Sequence, residues 1–303
     1  MSERKRGVFL VGFGGPESLE EVPPFVESVL GRTPPEHVTK AAIERYRTIG
    51  GGSPLPATTR RQAQLVGEEL KRRGHDVGVY VGMLHADPTI PTAADRIVAD
   101  GIRDVTVVSL APYRCEVSTD AYEEAARSAL TDRVDALRFT PDWNLAPRYL
   151  EGLADMLSAA LREAPPGTPV IFAAHSLPQR MIDQGDPYVE QLTATTKEVA
   201  SRLGLTDWHL AFQSVSGAAR EPWIGPSVEE VMDAVKAGGA AAVMIDPVGF
   251  IADHVETLYD NDVEHRRHAA EVGLDFHRCR CLNDHPALID ALCDVVEAAI
   301  EGA

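Results

Sequence analysis

Glu256, Asp260 and Glu264 recur every four residues in "DHVETLYDNDVE", residues 253–264, with Asp253 and His254 just before them and Asp262 between the last two. At this spacing the three acids share one side of a helix. Each like-charged pair then costs an isolated helix roughly 0.2–0.5 kcal/mol, and only the first turn is relieved by the helix dipole. Such a row is either a solvated acidic face or a carboxylate path along which a metal ion or protons can travel. On an α-helical wheel Val255, Leu258, Tyr259 and Val263 form the apolar stripe, Glu256 borders it, and Asp260 and Glu264 turn progressively outward. The acids are expected to lead from a buried edge to water.

His175 ends the apolar run "VIFAAH". A neutral imidazole beside a carboxylate is a good metal ligand and a good proton acceptor near pH 7. One histidine with several carboxylates suits a weakly held borderline ion such as Fe(II), whereas structural zinc sites use three or four His or Cys ligands. The four cysteines, Cys115, Cys279, Cys281 and Cys293, combine a C-x-C with two remote thiols, a weakly diagnostic pattern that by spacing alone favours free buried thiols over metal ligation. The glycine-rich stretches carry less. "GFGGPE" has Glu17 where a dinucleotide fingerprint needs its third glycine. "IGGGSPL" has no Gly-Lys-Ser/Thr and is a turn whose backbone N–H groups can hold an anion.

Positioning these groups requires a frame, and six β-rich runs supply it: "GVFLVGF" at 7, "VGVYVGM" at 77, "VTVVSLA" at 105, "PVIFAAH" at 169, "WHLAFQS" at 208 and "AAAVMID" at 240. Amphipathic helical stretches such as "ATTRRQAQLVGEELKRRG" alternate with them. Continuous Val/Ile/Leu runs separated by helices predict parallel strands buried on both faces, hence an α/β doubly wound architecture. A faint repeat between residues 105–125 and 241–262 predicts two similar domains, 1–143 and 144–303, with the ligand cleft between them. Ligands in such folds sit beyond the carboxyl ends of the strands. His175 and the 253–264 helix are expected to face that cleft.

Lys plus Arg number 29 against 46 Asp plus Glu, a net charge of −17 that makes nucleic acid or an anionic membrane a poor partner and a cation a better one. The basic opening "MSERKRG" precedes an apolar run too short for a signal peptide. No window approaches the about 18 apolar residues of a membrane span. The expectation is a soluble, cytoplasmic protein with reduced thiols and no transmembrane segment.

Seven segments, in order, resemble the ferrochelatases, which insert ferrous iron into porphyrin in haem synthesis: "RYRTIGGGSPLPATTRRQ", "AAHSLP", "GDPYVEQ", "AFQSVSG", "PWIGPSVEEV", "DPVGFIADHVETLYDNDVE" and "CLNDHPALIDAL". The resemblance implies a lyase built of two Rossmann-like domains around a porphyrin cleft, each a parallel sheet flanked by helices. It implies His175 and Glu256 as the residues that meet the Fe(II) substrate, and Asp260 and Glu264 as the acidic line relaying protons or metal. Two pyrrole protons must leave as iron enters, and His175 would take the first. Arg45 and Ser53 fall where a propionate is held, Tyr122 where the cleft is lined, and Phe13 and Trp223 where the ring is walled. Some compact bacterial members carry at the Phe13 position a tyrosine that can reach the iron; Phe offers no oxygen. The resemblance also implies a 2Fe-2S cluster on Cys115, Cys279, Cys281 and Cys293, structural or sensory in role, and requiring the last helix to pack against the first domain. In the family those three late cysteines usually follow the last helix, whereas Cys279 and Cys281 precede it here. The substrate is protoporphyrin IX or coproporphyrin III, and the polar "RTPPEHVTKAAIER" tilts towards the more water-soluble ring. A non-catalytic tetrapyrrole or haem carrier on the same scaffold, and a cobalt or nickel chelatase, are the competing readings.

Overall fold

The structure, a computed structural model, describes residues 5–215 and 221–301; the last two residues of "AFQSVSG" lie outside them. The chain divides into two compact units, Met1–Arg148 with Asn283–Ala303, and Tyr149–Leu282.

The first unit is built on a four-stranded parallel sheet: β1 (Arg6–Gly12), β2 (Val77–Met83), β3 (Asp104–Ser109) and β4 (Ala136–Phe139), in the order β2-β1-β3-β4. Phe9, Val11, Val105 and Val107 of the inner strands pack with Ile90 and Ile97 of helix Ile90–Ala99 and with Ala126 and Leu130 of helix Ala121–Leu130. Thr89 caps the first of these helices by accepting from the Thr92 amide at 3.2 Å, satisfying one of its orphan N–H groups. Gly82 lets that helix approach: a Cβ there would lie 2.9 Å from Ile90 Cα.

The helix Pro286–Glu301 belongs to this unit although it follows the second in sequence. Its buried Cys293 Sγ lies 3.8 Å from the Val66 carbonyl of helix Leu55–Arg72. Arg73 clamps the two helices, its guanidinium reaching Glu69 (2.7 Å), Asp290 (2.8 Å), Asp294 (2.6 Å) and Glu297 (2.8 Å).

The second unit repeats the plan: β5 (Val170–His175), β6 (Trp208–Gln213), β7 (Ala242–Asp246) and β8 (Asp275–Arg278), all parallel in the order β6-β5-β7-β8. Ile171, Val243 and Ile245 pack with Val231 and Met232 of helix Val228–Ala237. Ser227 and Glu230 close a capping box at its start. The six apolar runs are six of the eight strands among the described residues. The other two, β4 and β8, are four-residue edge strands, too short to stand out as runs. Among the described residues no helix is long and apolar enough to cross a membrane.

Candidate functional site

In the second unit three strands end side by side, and the chemistry gathers at their carboxyl ends. His175 is the last residue of β5 and pairs in register with Gln213, the last of β6. The Tyr188 hydroxyl donates to the His175 carbonyl at 3.2 Å. Imidazole Nδ1 is bonded to the Ser176 carbonyl, an acceptor, so Nδ1 carries the hydrogen and Nε2 is left for chemistry. Nε2 lies 3.4 Å from Glu256 Oε1. The other oxygen of Glu256 lies 3.7 Å from His254 Nε2, so the carboxylate stands between two imidazoles. His254 was not among the residues predicted from sequence, though it lies only two positions before Glu256. Trp223 lies beside His175, ring centroids 6.3 Å apart.

Burial opposes the charged form of His175, but the facing Glu256 carboxylate, joined by the Ser176 carbonyl, outweighs it and raises the imidazole to about 9. Burial likewise pushes the Glu256 carboxyl up, and His175 and His254 reverse this, holding it well below the usual carboxylate range. At neutral pH the resting pair is therefore imidazolium and carboxylate. The neutral imidazole expected from sequence appears only once that proton is displaced.

The acidic segment does not wind as an α-helix. Glu256–His265 is a π-helix, followed by the α-helix Arg266–Val272. Bonds from residue i to i+5 place more residues in each turn, so the α-helical wheel fails. The buried face is polar, consisting of Thr257, Asp260, Asn261 and His265. Val263, assigned to an apolar stripe, is 38% exposed. Asp260 is 3% exposed, whereas Glu256 and Glu264 are half-buried. The acids therefore do not lead steadily outward; the middle one is the deepest.

A buried polar face needs partners, and the neighbouring elements provide them. The Ser214 hydroxyl donates to the Asp260 carboxylate. His265 Nδ1 meets Asn261 Oδ1 at 2.8 Å, and its Nε2 faces Glu229 at 3.4 Å. His265 holds the Glu229 carboxyl down to about 2. Arg278 supports the helix start, donating to Asp253 at 3.0 Å and Asp262 at 2.8 Å.

The remaining predicted residues belong to the first unit. Phe13 follows β1 and packs edge-on against His85 (4.7 Å) and Phe25 (6.1 Å). Ser53 is buried behind a turn in which Gly50 and Gly51 have φ of 111° and 100°, values that favour glycine. Gly52 is held closely too, since a Cβ there would lie 2.3 Å from the Glu17 carbonyl. Arg45 is exposed on helix Glu36–Thr48. Tyr122 is 4% exposed and packs in the hydrophobic core of the first unit with Phe9 and Val11.

The expected 2Fe-2S cluster does not fit. Cys115, Cys279, Cys281 and Cys293 are all buried and none of them forms a disulfide. Among the described residues no three His, Cys, Asp or Glu side chains gather so as to hold a metal ion. A cluster needs thiolates, yet burial drives the Cys279 and Cys281 thiols well above their ordinary value, aided by Asp246 and Asp253 respectively. Burial also pushes Cys293 up to about 12.

A cavity of about 480 Å³ opens at the opposite ends of β5, β6 and β7, bordered by Thr168, Asp207, His209 and Ala240. It contains none of the residues above.

A family model described as Ferrochelatase matches residues 5–300. The ferrochelatase of Deinococcus radiodurans is 34% identical over 98% of this chain and 96% of its own length. The coproporphyrin III ferrochelatase of Halalkalibacterium halodurans is 32% identical over 98% of each. Among solved structures, the sirohydrochlorin chelatase SirB of Bacillus subtilis subspecies spizizenii in complex with cobalt aligns with a TM-score of 0.60 at 14% identity, covering 98% of this chain and 96% of that one. That likeness is one of fold.

Proposed function

Since the chain belongs to the ferrochelatase family of metal-inserting lyases, we propose that its His175–Glu256 pair is where ferrous iron is handed to a porphyrin in haem biosynthesis. The observation that carries this reading is the imidazole Nε2 set 3.4 Å from a carboxylate that a second histidine also faces. Two donors can receive Fe(II) and let it go, which a closed four-ligand cage would not. As the cation meets Glu256, its charge displaces the proton resting on His175. The neutral imidazole then takes the first pyrrole proton, and the Glu256 carboxylate takes the second. Two N–H bonds break and iron–nitrogen bonds replace them; His175 is back in its resting imidazolium form, and the proton it first gave up and the one taken by Glu256 are the two that leave through Asp260 and Glu264 to water. No net electron is transferred, so no step needs an iron–sulfur group.

Arg45 and Ser53 are the proposed propionate anchors, and Phe13 and Trp223 the proposed ring walls. In a chain of charge −17 an anionic ring needs such local anchors. The polar segment 32–45 and relatives named coproporphyrin III ferrochelatase favour coproporphyrin III over protoporphyrin IX.

Anaerobic incubation with Fe(II) and each porphyrin, followed by visible absorption, tests the reading. Insertion is expected with both rings and faster with coproporphyrin III. Turnover with Co(II) or Ni(II) but not Fe(II) would reassign the metal, and binding without any turnover would replace the enzyme by a carrier.

A further inference from the structure

Two residues at the end of β6 fasten the first two acids of the π-helix. Gln213 is 3% exposed and is the strand-register partner of His175. The Ser176 amide donates to the Gln213 carbonyl at 2.8 Å, and Gln213 Nε2 donates to the backbone carbonyl of Glu256 at 2.9 Å. Ser214 follows with φ of 64°, a left-handed conformation unfavourable for a non-glycine residue. Such a conformation persists only where its surroundings over-determine it. Here it accompanies the bond from the Ser214 hydroxyl to the Asp260 carboxylate.

π-Winding is rare and occurs mostly as single turns, so a ten-residue π-helix needs support from outside itself. The strand end next to His175 grips it at two points, the Glu256 carbonyl and the Asp260 carboxylate. We propose that Gln213 and Ser214 are positioning residues for metal insertion: Gln213 fixes where Glu256 stands relative to His175, and Ser214 keeps Asp260 in line behind it. This rests on the chelatase reading of the site.

Three variants and two measurements test it. Gln213→Met keeps the length and removes the donor. Ser214→Gly removes the hydroxyl and relieves the backbone. Ser214→Asn retains a donor on a residue type that tolerates the left-handed region. Because small misplacements of reacting groups are costly, kcat is expected to fall about tenfold or more in the first two, with the porphyrin KM within about twofold of wild type. In Ser214→Gly the acid limb of the pH–rate profile should move up by about half a unit, since Asp260 loses a bond to its ionised form. The same variant should melt no lower than wild type, a separation that a merely structural role does not give, and Ser214→Asn should recover most of the rate. Wild-type kcat and pH profile in both Gln213→Met and Ser214→Gly would overturn the proposal. Independently of turnover, a Co(II) titration without porphyrin, followed by visible absorption, should show metal affinity about tenfold lower in Gln213→Met. An unchanged titration overturns the positioning role even in a protein that inserts no iron, whereas absence of insertion by the wild type itself strikes only the ferrochelatase reading.

Discussion

Replacing Glu256 by Gln keeps the shape of the side chain and removes the negative charge 3.4 Å from His175 Nε2. In the wild type that charge lifts the imidazole to about 9 against an ordinary 6.5, although burial alone would depress it. At about 1.4 kcal/mol per pH unit the lift corresponds to roughly 3 kcal/mol. The His175 side chain is 33% exposed, so solvent screening reduces this to about 2 kcal/mol. A histidine raised in the fold contributes its stability in full below 6.5 and loses it as pH climbs through about 9. Wild-type stability, measured by urea unfolding at a series of pH values, should therefore fall by about 2 kcal/mol between pH 6.5 and 9.5. In Glu256→Gln that decline should vanish, and an NMR titration should place His175 below 6.5, because only burial is left to act. Iron insertion should be lost while porphyrin binding, followed by fluorescence quenching, is retained. Parallel stability curves for the two proteins, or wild-type insertion by the variant, would refute the reasoning.

Two further outcomes follow from buried groups. Asp246, the last residue of β7, is 3% exposed, and its Oδ2 has no hydrogen-bond partner among the described residues. Burial pushes its carboxyl up to about 7 from an ordinary 3.8. The raised carboxyl favours the fold while protonated and withdraws that support as pH rises from 3.8 to about 7, by an upper bound of about 4 kcal/mol. Asp246→Asn should accordingly be more stable than wild type at pH 8, with the advantage shrinking towards pH 4; a pH-independent difference in thermal midpoint would contradict this. The buried cysteines, whose thiols burial holds protonated, predict a colourless protein with no stoichiometric iron or sulfide when purified without oxygen, and an unchanged visible spectrum in Cys115→Ser. A red-brown protein whose absorption disappears in that variant would restore the cluster.

The strands of both sheets were legible wherever residues run apolar on both faces, as in "VFLVGF" and "VIFAAH", because burial on two sides leaves no alternation to misread. β4 and β8 were not, since edge strands of four residues carry too little pattern. That residues 253–264 form a helix was legible; its winding was not, because the bonds that Gln213, Ser214 and Arg278 make to this segment come from outside it. The error then passed to every residue placed by an α-helical wheel, from Val263 outside to Asp260 inside. His175 could be singled out by its address at a strand end, but its resting proton depends on a distance to Glu256 that spacing does not contain.

The first unit is discontinuous, and this has a consequence for biosynthesis. A ribosome supplies helix Pro286–Glu301 only after the entire second unit has emerged, so the side of helix Leu55–Arg72 that carries Val66 waits uncovered through all of that time. Nascent chains usually mature from their amino terminus onward. Here the earliest-made sheet is among the last parts to be finished, and Arg73 spends most of translation without three of its four carboxylate partners.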